Sequence, residues 1–178
     1  MNKLKYYGVV LISKLLGKGN ARVVSEFRKE GIQIGEGTHI FSNIITSEPY
    51  LISIGENCTI STEVCFLTHD ASVGVFLDRK VKSDICGAIH IGDNCFIGNR
   101  VILLYGVSIP SNTIVAAGSV VTKSISEAGC IIAGNPARVV GHVEDFLEKN
   151  KENFFCLHGL KYEDRKQIIL SSNKLVIR

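Results

Sequence analysis

The sequence predicts a mainly β fold, a parallel β-helix of about four coils with short helices at both ends, and three observations predict it. An apolar residue recurs at every sixth position: Ile91, Ile97, Leu103, Ile109, Val115 and Val121. Neither the helical period nor the two-residue period of a strand gives six, whereas hexapeptide repeats mark a parallel β-helix. Four residues after an apolar position stands something small or β-branched, namely Cys95, Val101, Val107, Thr113 and Ser119, as tight corners between strands require. The position directly after the apolar residue holds Gly92, Gly98 and Pro110; Gly permits positive φ and Pro pre-sets a bend. Six residues make one short strand and one turn, so three hexads close a triangular coil around Ile, Val and Leu. Such coils must stack, because each satisfies its backbone hydrogen bonds on the next.

Each segment then has a place. Residues 1–31 form an N-terminal helix and connection: residues 1–17 carry apolar residues at helical spacing, with Gly17 and Gly19 where a C-cap belongs. The longest apolar run, Val9 to Ile12, stops at Ser13 and Lys14 and is too short to span a bilayer. This helix packs on a coil or a neighbouring subunit, or touches a membrane peripherally. Arg22 to Glu30 reads as a mixed-charge connection. The β-helix occupies residues 32–141. It begins at Ile34 and Ile40, is interrupted at 44–51 around Pro49, and resumes at Ile54, Ile60 and Phe66 with corners Cys58 and Val64. Residues 70–88 fit no hexad and carry Arg79, Lys80 and Lys82. A loop of that length inside a regular solenoid is expected to be a functional arm. After Val121 the chain turns through Lys123 to Gly129, adds a strand at Ile131 and Ile132, and passes through AGNPARVV at 133–140. Residues 142–178 form a helical tail: 143–152 place acidic residues first and lysines last, as the helix dipole favours, and a second helix is expected at Glu163 to Leu170.

Composition narrows the function. With 178 residues and 46% hydrophobic content the chain can bury one substantial core. A net charge of +3, without interleaved aromatic and basic residues, argues against nucleic acid. Six cysteines form no CxxC pair and no zinc spacing, and no secretory leader is recognised, so they read as reduced thiols of a cytoplasmic protein. Cys58 and Cys95 stand on corner positions and are expected to pack as small hydrophobes.

The segments SEPYLISIGENCTIS (47–61), FLTHDAS (66–72), IGDNCFIGNRVILLYGVSIP (91–110), AAGSVVTK (116–123) and AGNPARVV (133–140) resemble the hexapeptide-repeat acyltransferases. Within them they resemble most the sugar O-acetyltransferases of capsule, exopolysaccharide and O-antigen synthesis, with the xenobiotic acetyltransferases nearby. The resemblance implies a left-handed winding, contrary to the usual crossover rule. It also implies a homotrimer, acetyl-CoA as donor, and a sugar or polysaccharide-precursor hydroxyl as acceptor. An N-acetyltransferase or xenobiotic acetyltransferase, or a non-catalytic β-helix assembly protein, are the alternatives. Sugar-nucleotide transferases of this type carry a large domain before the β-helix, and only about 30 residues precede it here. The related zinc anhydrases need three histidines including an HxxxxH pair, which His39, His69, His90, His142 and His158 do not form, so no metal is expected.

In the maltose and galactoside branch the catalytic histidine falls in the hexad that here reads IGNRVI, where Arg100 takes its place. In the capsule and xenobiotic branches it resembles the histidine of THD, which makes His69 the expected general base. Asp70 or a backbone carbonyl is available to orient its ring, although adjacent side chains on a strand point apart. Glu48, beside Pro49, is either a solvated turn carboxylate or part of the acceptor pocket. Asn99 and Arg100 are expected to line a groove between coils, with Arg100 in a surface ion pair, and Asp70 joins them as an acceptor-side candidate. His90 is expected to face outward. Cys65, four residues from His69, has no cationic neighbour to activate it as a nucleophile. The resemblance places the cofactor along the last coils: Ala117, Gly118 and Ser119 for the pantetheine, Asn135 and Pro136 beside it, and Lys123 and Arg138 for the phosphates.

Overall fold

A computed structural model of the chain describes residues 1–16, 19–77 and 83–176. Gly17 of the expected C-cap and the basic residues Arg79, Lys80 and Lys82 lie outside the described residues. Two helices open the chain, α1 (Lys3–Leu15) and α2 (Ala21–Lys29). The Asn2 side chain caps α1 by accepting from the Lys5 amide at 2.8 Å. Helix α2 corrects the expected connection at Arg22 to Glu30. Its buried residues Val23, Val24 and Phe27 stand one and four apart, a helical face that the surrounding charges obscure in the sequence.

Short strands follow: β1 (Gln33–Ile34), β2 (His39–Ile40), β3 (Ile52–Ile54), β4 (Thr59–Ile60) and β5 (Cys65–Phe66). Next comes an arm made of β6 (His69–Asp70), the single helical turn α3 (Val73–Phe76) and β7 (Ile85–Cys86). The regular part resumes with β8 (Ile89–Ile91), β9 (Phe96–Ile97), β10 (Ile102–Leu103), β11 (Ser108–Ile109), β12 (Ile114–Val115) and β13 (Val120–Val121). Strands β14 (Cys130–Gly134) and β15 (Ala137–His142) precede α4 (Val143–Asn150) and α5 (Tyr162–Leu170).

Three sheets run along the stack. Their orders are β1-β3-β8-β11, β2-β4-β9-β12-β14-β15 and β5-β10-β13, and all pairs are parallel except β14 with β15. The register puts Ile60 beside Ile97, Phe66 beside Leu103, and Ile91 beside Ile109, so like positions of the repeat stack. Every apolar residue at the sixth position is buried, as are Cys58 and Cys95 at the corners. Gly92 and Gly98 are needed for close approach rather than for positive φ. An added Cβ would meet the Ser111 amide or the Ala117 amide at 2.6 Å. The positive-φ corners fall instead on residues such as Asn57, Asn94 and Asn112.

Both open ends of the stack are covered, as exposed strand edges require. At the first coil the Asn20 amide imitates a neighbouring strand, donating to the Ile40 carbonyl and accepting from the Ile40 amide, each at 2.6 Å. Arg28 donates to the carbonyls of Ile34 and Gly35 at 2.9 and 3.0 Å, while Phe27 fills the end of the core. At the last coil the antiparallel β14–β15 hairpin closes the second sheet. The AGNPARVV segment, read in the sequence as a passage to the tail, thus builds that hairpin.

Candidate active site

The arm leaves the stack immediately after β5. Thr68 is buried, and its carbonyl accepts from the Gly87 amide at 3.0 Å, closing the neck of the arm. His69 stands just outside that neck on β6, opposite Cys86 of β7. Glu48 approaches from the irregular stretch of the preceding coil, one residue before the 3-10 turn Pro49–Leu51. Its carboxylate oxygen Oε2 lies 2.8 Å from His69 Nδ1.

Two hydroxyls fix that carboxylate. Thr68 donates to the same oxygen at 2.8 Å, and Thr46 Oγ1 lies 2.5 Å from Thr68 Oγ1 while accepting from the Glu48 amide at 3.1 Å. Thr46 Oγ1 also lies 3.3 Å from the same Glu48 oxygen, so both hydroxyls surround it. The Thr68 hydrogen bond first, and the His69 contact second, hold the Glu48 carboxyl below its ordinary pKa, so it is ionised. The Glu48 hydrogen bond, reinforced by its charge, raises His69 above the usual histidine value. A carboxylate on Nδ1 fixes the proton of neutral His69 there, which leaves Nε2 as the acceptor. The His69 side chain is 38% exposed and that of Glu48 18%, so the imidazole can be reached while the carboxylate that holds it is sheltered.

Asp70 does not orient His69. Its Oδ1 accepts from the Ser72 amide at 2.8 Å, and the Tyr105 hydroxyl lies 3.5 Å from Oδ2, so it secures the start of the arm. Cys65 carries a thiol that desolvation pushes upward in pKa, away from a nucleophile. His90 faces outward with its Nδ1 2.6 Å from Ser53 Oγ.

A second feature lies at a corner of the stack. Thr62, Glu63, Asn99, Arg100, Ala117 and Gly118 line a groove there that includes neither His69 nor Glu48. Arg100 Nε donates to Glu63 at 2.6 Å on the surface, and Asn99 Oδ1 accepts from the Thr62 amide at 3.3 Å. Gly118 takes φ 73 and leaves the groove wall without a side chain. Ser119, expected among the pantetheine contacts, points inward: it is buried, and its hydroxyl accepts from the Gly134 amide at 3.2 Å. That bond ties the hairpin turn containing Asn135 and Pro136 to the corner. Lys123 and Arg138 are exposed, and Arg138 donates to the Ala137 carbonyl at 2.8 Å. Sequence reading missed Thr46 and Thr68. Nothing in the linear pattern distinguishes them, because their pairing comes only from stacking one coil on the next.

The family described as "Hexapeptide repeat of succinyl-transferase" matches residues 88–123. Protein CapG of Staphylococcus aureus is 39% identical over 168 residues, covering 92% of this chain and 97% of its own. The chain belongs to the hexapeptide-repeat acetyltransferase family. It is by that membership an acyltransferase. Galactoside O-acetyltransferase of Escherichia coli is 32% identical over 124 residues, which span 70% of this chain and 59% of that enzyme. A hexapeptide-repeat acetyltransferase of Vibrio cholerae, solved with acetyl-CoA, superposes with a TM-score of 0.58 at 31% identity, over 64% of this chain and 61% of that one. This hexapeptide-repeat acetyltransferase thus spans nearly all of one relative and about three fifths of the other two.

Proposed function

We propose that this chain transfers the acetyl group of acetyl-CoA directly to a sugar hydroxyl of a polysaccharide or its precursor, with His69 as general base. The observation that carries the reading is the 2.8 Å pair between His69 Nδ1 and an ionised Glu48, itself held by Thr68. A sugar hydroxyl is a poor nucleophile at neutral pH until its proton is removed. Nε2 of His69 accepts that proton as the oxygen bonds to the acetyl carbon. The Glu48 carboxylate stabilises the imidazolium while it exists. As the carbon–sulfur bond breaks, the same nitrogen returns the proton to sulfur, so the products are the ester and free CoA thiol. The bound thioester supplies the acetyl group and the leaving sulfur.

The corner groove suits the pantetheine of that donor, since Ala117 and Gly118 expose backbone and Gly118 has open space where a Cβ would stand. Arg138 and Lys123 are the cations proposed for its phosphates. Because the base and the groove are separate in one chain, the reading includes a homotrimer of left-handed β-helices whose sites form between neighbours. The outward strand residues favour this. One face carries Gln33, Ser53, His90 and Ser108; the second carries His39 and Thr59 at its start and then Phe96, Ile114 and Ile131, and the third carries Cys65, Ile102 and Val120. The two apolar faces are the ones suited to burial between subunits, and Val75 and Phe76 extend the apolar surface on the arm. Asn99 and Arg100 flank the acceptor path in this reading, and the protein works in the cytoplasm.

The test is incubation with acetyl-CoA and a panel of polysaccharides and sugar precursors, following thiol release and acetyl ester formation. Ester with stoichiometric thiol supports the reading. Amide formation would redirect it to N-acetylation, and no thiol with any acceptor would favour an assembly protein.

A further inference from the structure

Helix α1 carries apolar residues on two opposite sides, and only one of them packs on the coils. Tyr6 and Val9 are buried against the first coil, where the Tyr6 hydroxyl donates to the Phe41 carbonyl at 3.0 Å and the chain's amino group donates to the Ile44 carbonyl at 3.0 Å. The opposite side presents Leu4, Tyr7, Leu11, Ile12 and Leu15, with Leu4 86% and Leu15 77% exposed. Leu4, Tyr7, Leu11 and Leu15 recur three and four residues apart, so they form one continuous stripe along three turns. An exposed apolar stripe of this length beside a packed apolar face marks a surface that a partner covers.

The charges state what covers it. At 100° per residue, Lys3 and Lys14 fall on one margin of the stripe and Lys5 on the other. Residues 1–16 contain no Asp or Glu. Lys5 is paired with Glu30 and Glu26 at 2.9 and 3.6 Å; Lys3 and Lys14 form no ion pair among the described residues. A second copy of the same helix would bring lysines against lysines. An anionic headgroup layer instead pairs them while leucines enter the acyl boundary, and lysine stems can reach back to the headgroups from the margins.

We infer that the outward face of α1 docks this protein peripherally on an anionic bilayer surface. No insertion across the bilayer is involved, since among the described residues no helix is long and apolar enough to cross a membrane. The coil segment under α1, which includes Phe41 and Ile44, runs directly into Thr46 and Glu48, so docking fixes the orientation of that part of the chain toward the surface.

The experiment is sedimentation of the full chain with vesicles of equimolar phosphatidylglycerol and phosphatidylcholine, and with vesicles of phosphatidylcholine alone. The protein is expected to partition to the anionic vesicles and to be released by salt. Leu11→Ser with Leu15→Ser is expected to lower the partition coefficient at least tenfold. Lys3→Glu with Lys14→Glu, which touches no packed residue, is expected to lower it by about fivefold or more for each lysine replaced. Circular dichroism and light scattering on each variant separate lost binding from lost folding. Equal sedimentation with both vesicle types, or none with either, would overturn the inference. So would wild-type binding that survives both pairs of substitutions, or a mass in solution that falls when Leu11 and Leu15 are replaced, which would make the stripe a contact between copies.

Discussion

Gly98→Ala tests whether close stacking of coils is what shapes the corner groove. Gly98 is buried at the turn after Ile97, and an added Cβ would lie 2.6 Å from the Ala117 amide nitrogen, 2.8 Å from the Val115 carbonyl oxygen and 2.9 Å from Ala117 Cα. All three are backbone atoms, so no side chain can swing aside. Restoring ordinary contact at about 3.4 Å requires the coils to part by about 0.8 Å. The Gly98 amide now donates to Val115 at 2.8 Å, and that parting would stretch the bond to about 3.6 Å, beyond hydrogen-bond range. Overpacking of about 1–3 kcal/mol plus roughly 1 kcal/mol for the lost bond gives about 2–4 kcal/mol. For a chain of this size the melting midpoint should fall by roughly 5–15 °C. Because the displaced atoms belong to Ala117, the KM for acetyl-CoA should rise as well. Differential scanning calorimetry and initial rates against acetyl-CoA measure both. A midpoint within about 2 °C of wild type with an unchanged KM would refute the stacking argument.

Glu48→Gln should lower plateau turnover by about tenfold to a hundredfold, part of the general-base contribution. The pH profile has a defined sign. Glu48 raises the His69 pKa, and the base must be neutral, so the acidic limb of kcat/KM should lie above about 6.5 in wild type and move down toward that value in the variant. A pH–rate series that leaves both plateau and limb in place would remove Glu48 from the site. Arg138→Ala should raise the KM for acetyl-CoA several-fold with little change in kcat, because an exposed cation serves binding rather than chemistry. Arg100→Ala should leave the melting midpoint unchanged, as differential scanning calorimetry would show. Its pair with Glu63 is a surface contact, with side chains 77% and 64% exposed, and such pairs contribute little.

The sequence made the stack legible because each hexad repeats the same local constraint, and period six survives in Ile91 to Val121 without help from distant residues. The cap helix α2 was hidden because its apolar face is three residues among charges, and it needs the coil end to explain it. His69 is offered as a candidate by the resemblance of THD to the capsule and xenobiotic branches, and its place before the arm agrees with an exposed ring. Its anchor was not legible, since Glu48 lies 21 residues away in an irregular stretch and reaches His69 only once two coils stack. Asp70 was the nearer carboxylate in sequence, and strand geometry turned it to Ser72 instead. Ser119 kept its small size at the corner but spends its hydroxyl on Gly134, a bond that only the hairpin makes possible.

The claim that His69 is the base is tested most directly by single-turnover acetyl transfer in His69→Ala at saturating acetyl-CoA and acceptor. Turnover should drop at least about a hundredfold, while acetyl-CoA affinity and the mass of the assembly stay at wild-type values. Turnover within a few-fold of wild type would place the base elsewhere and contradict the account.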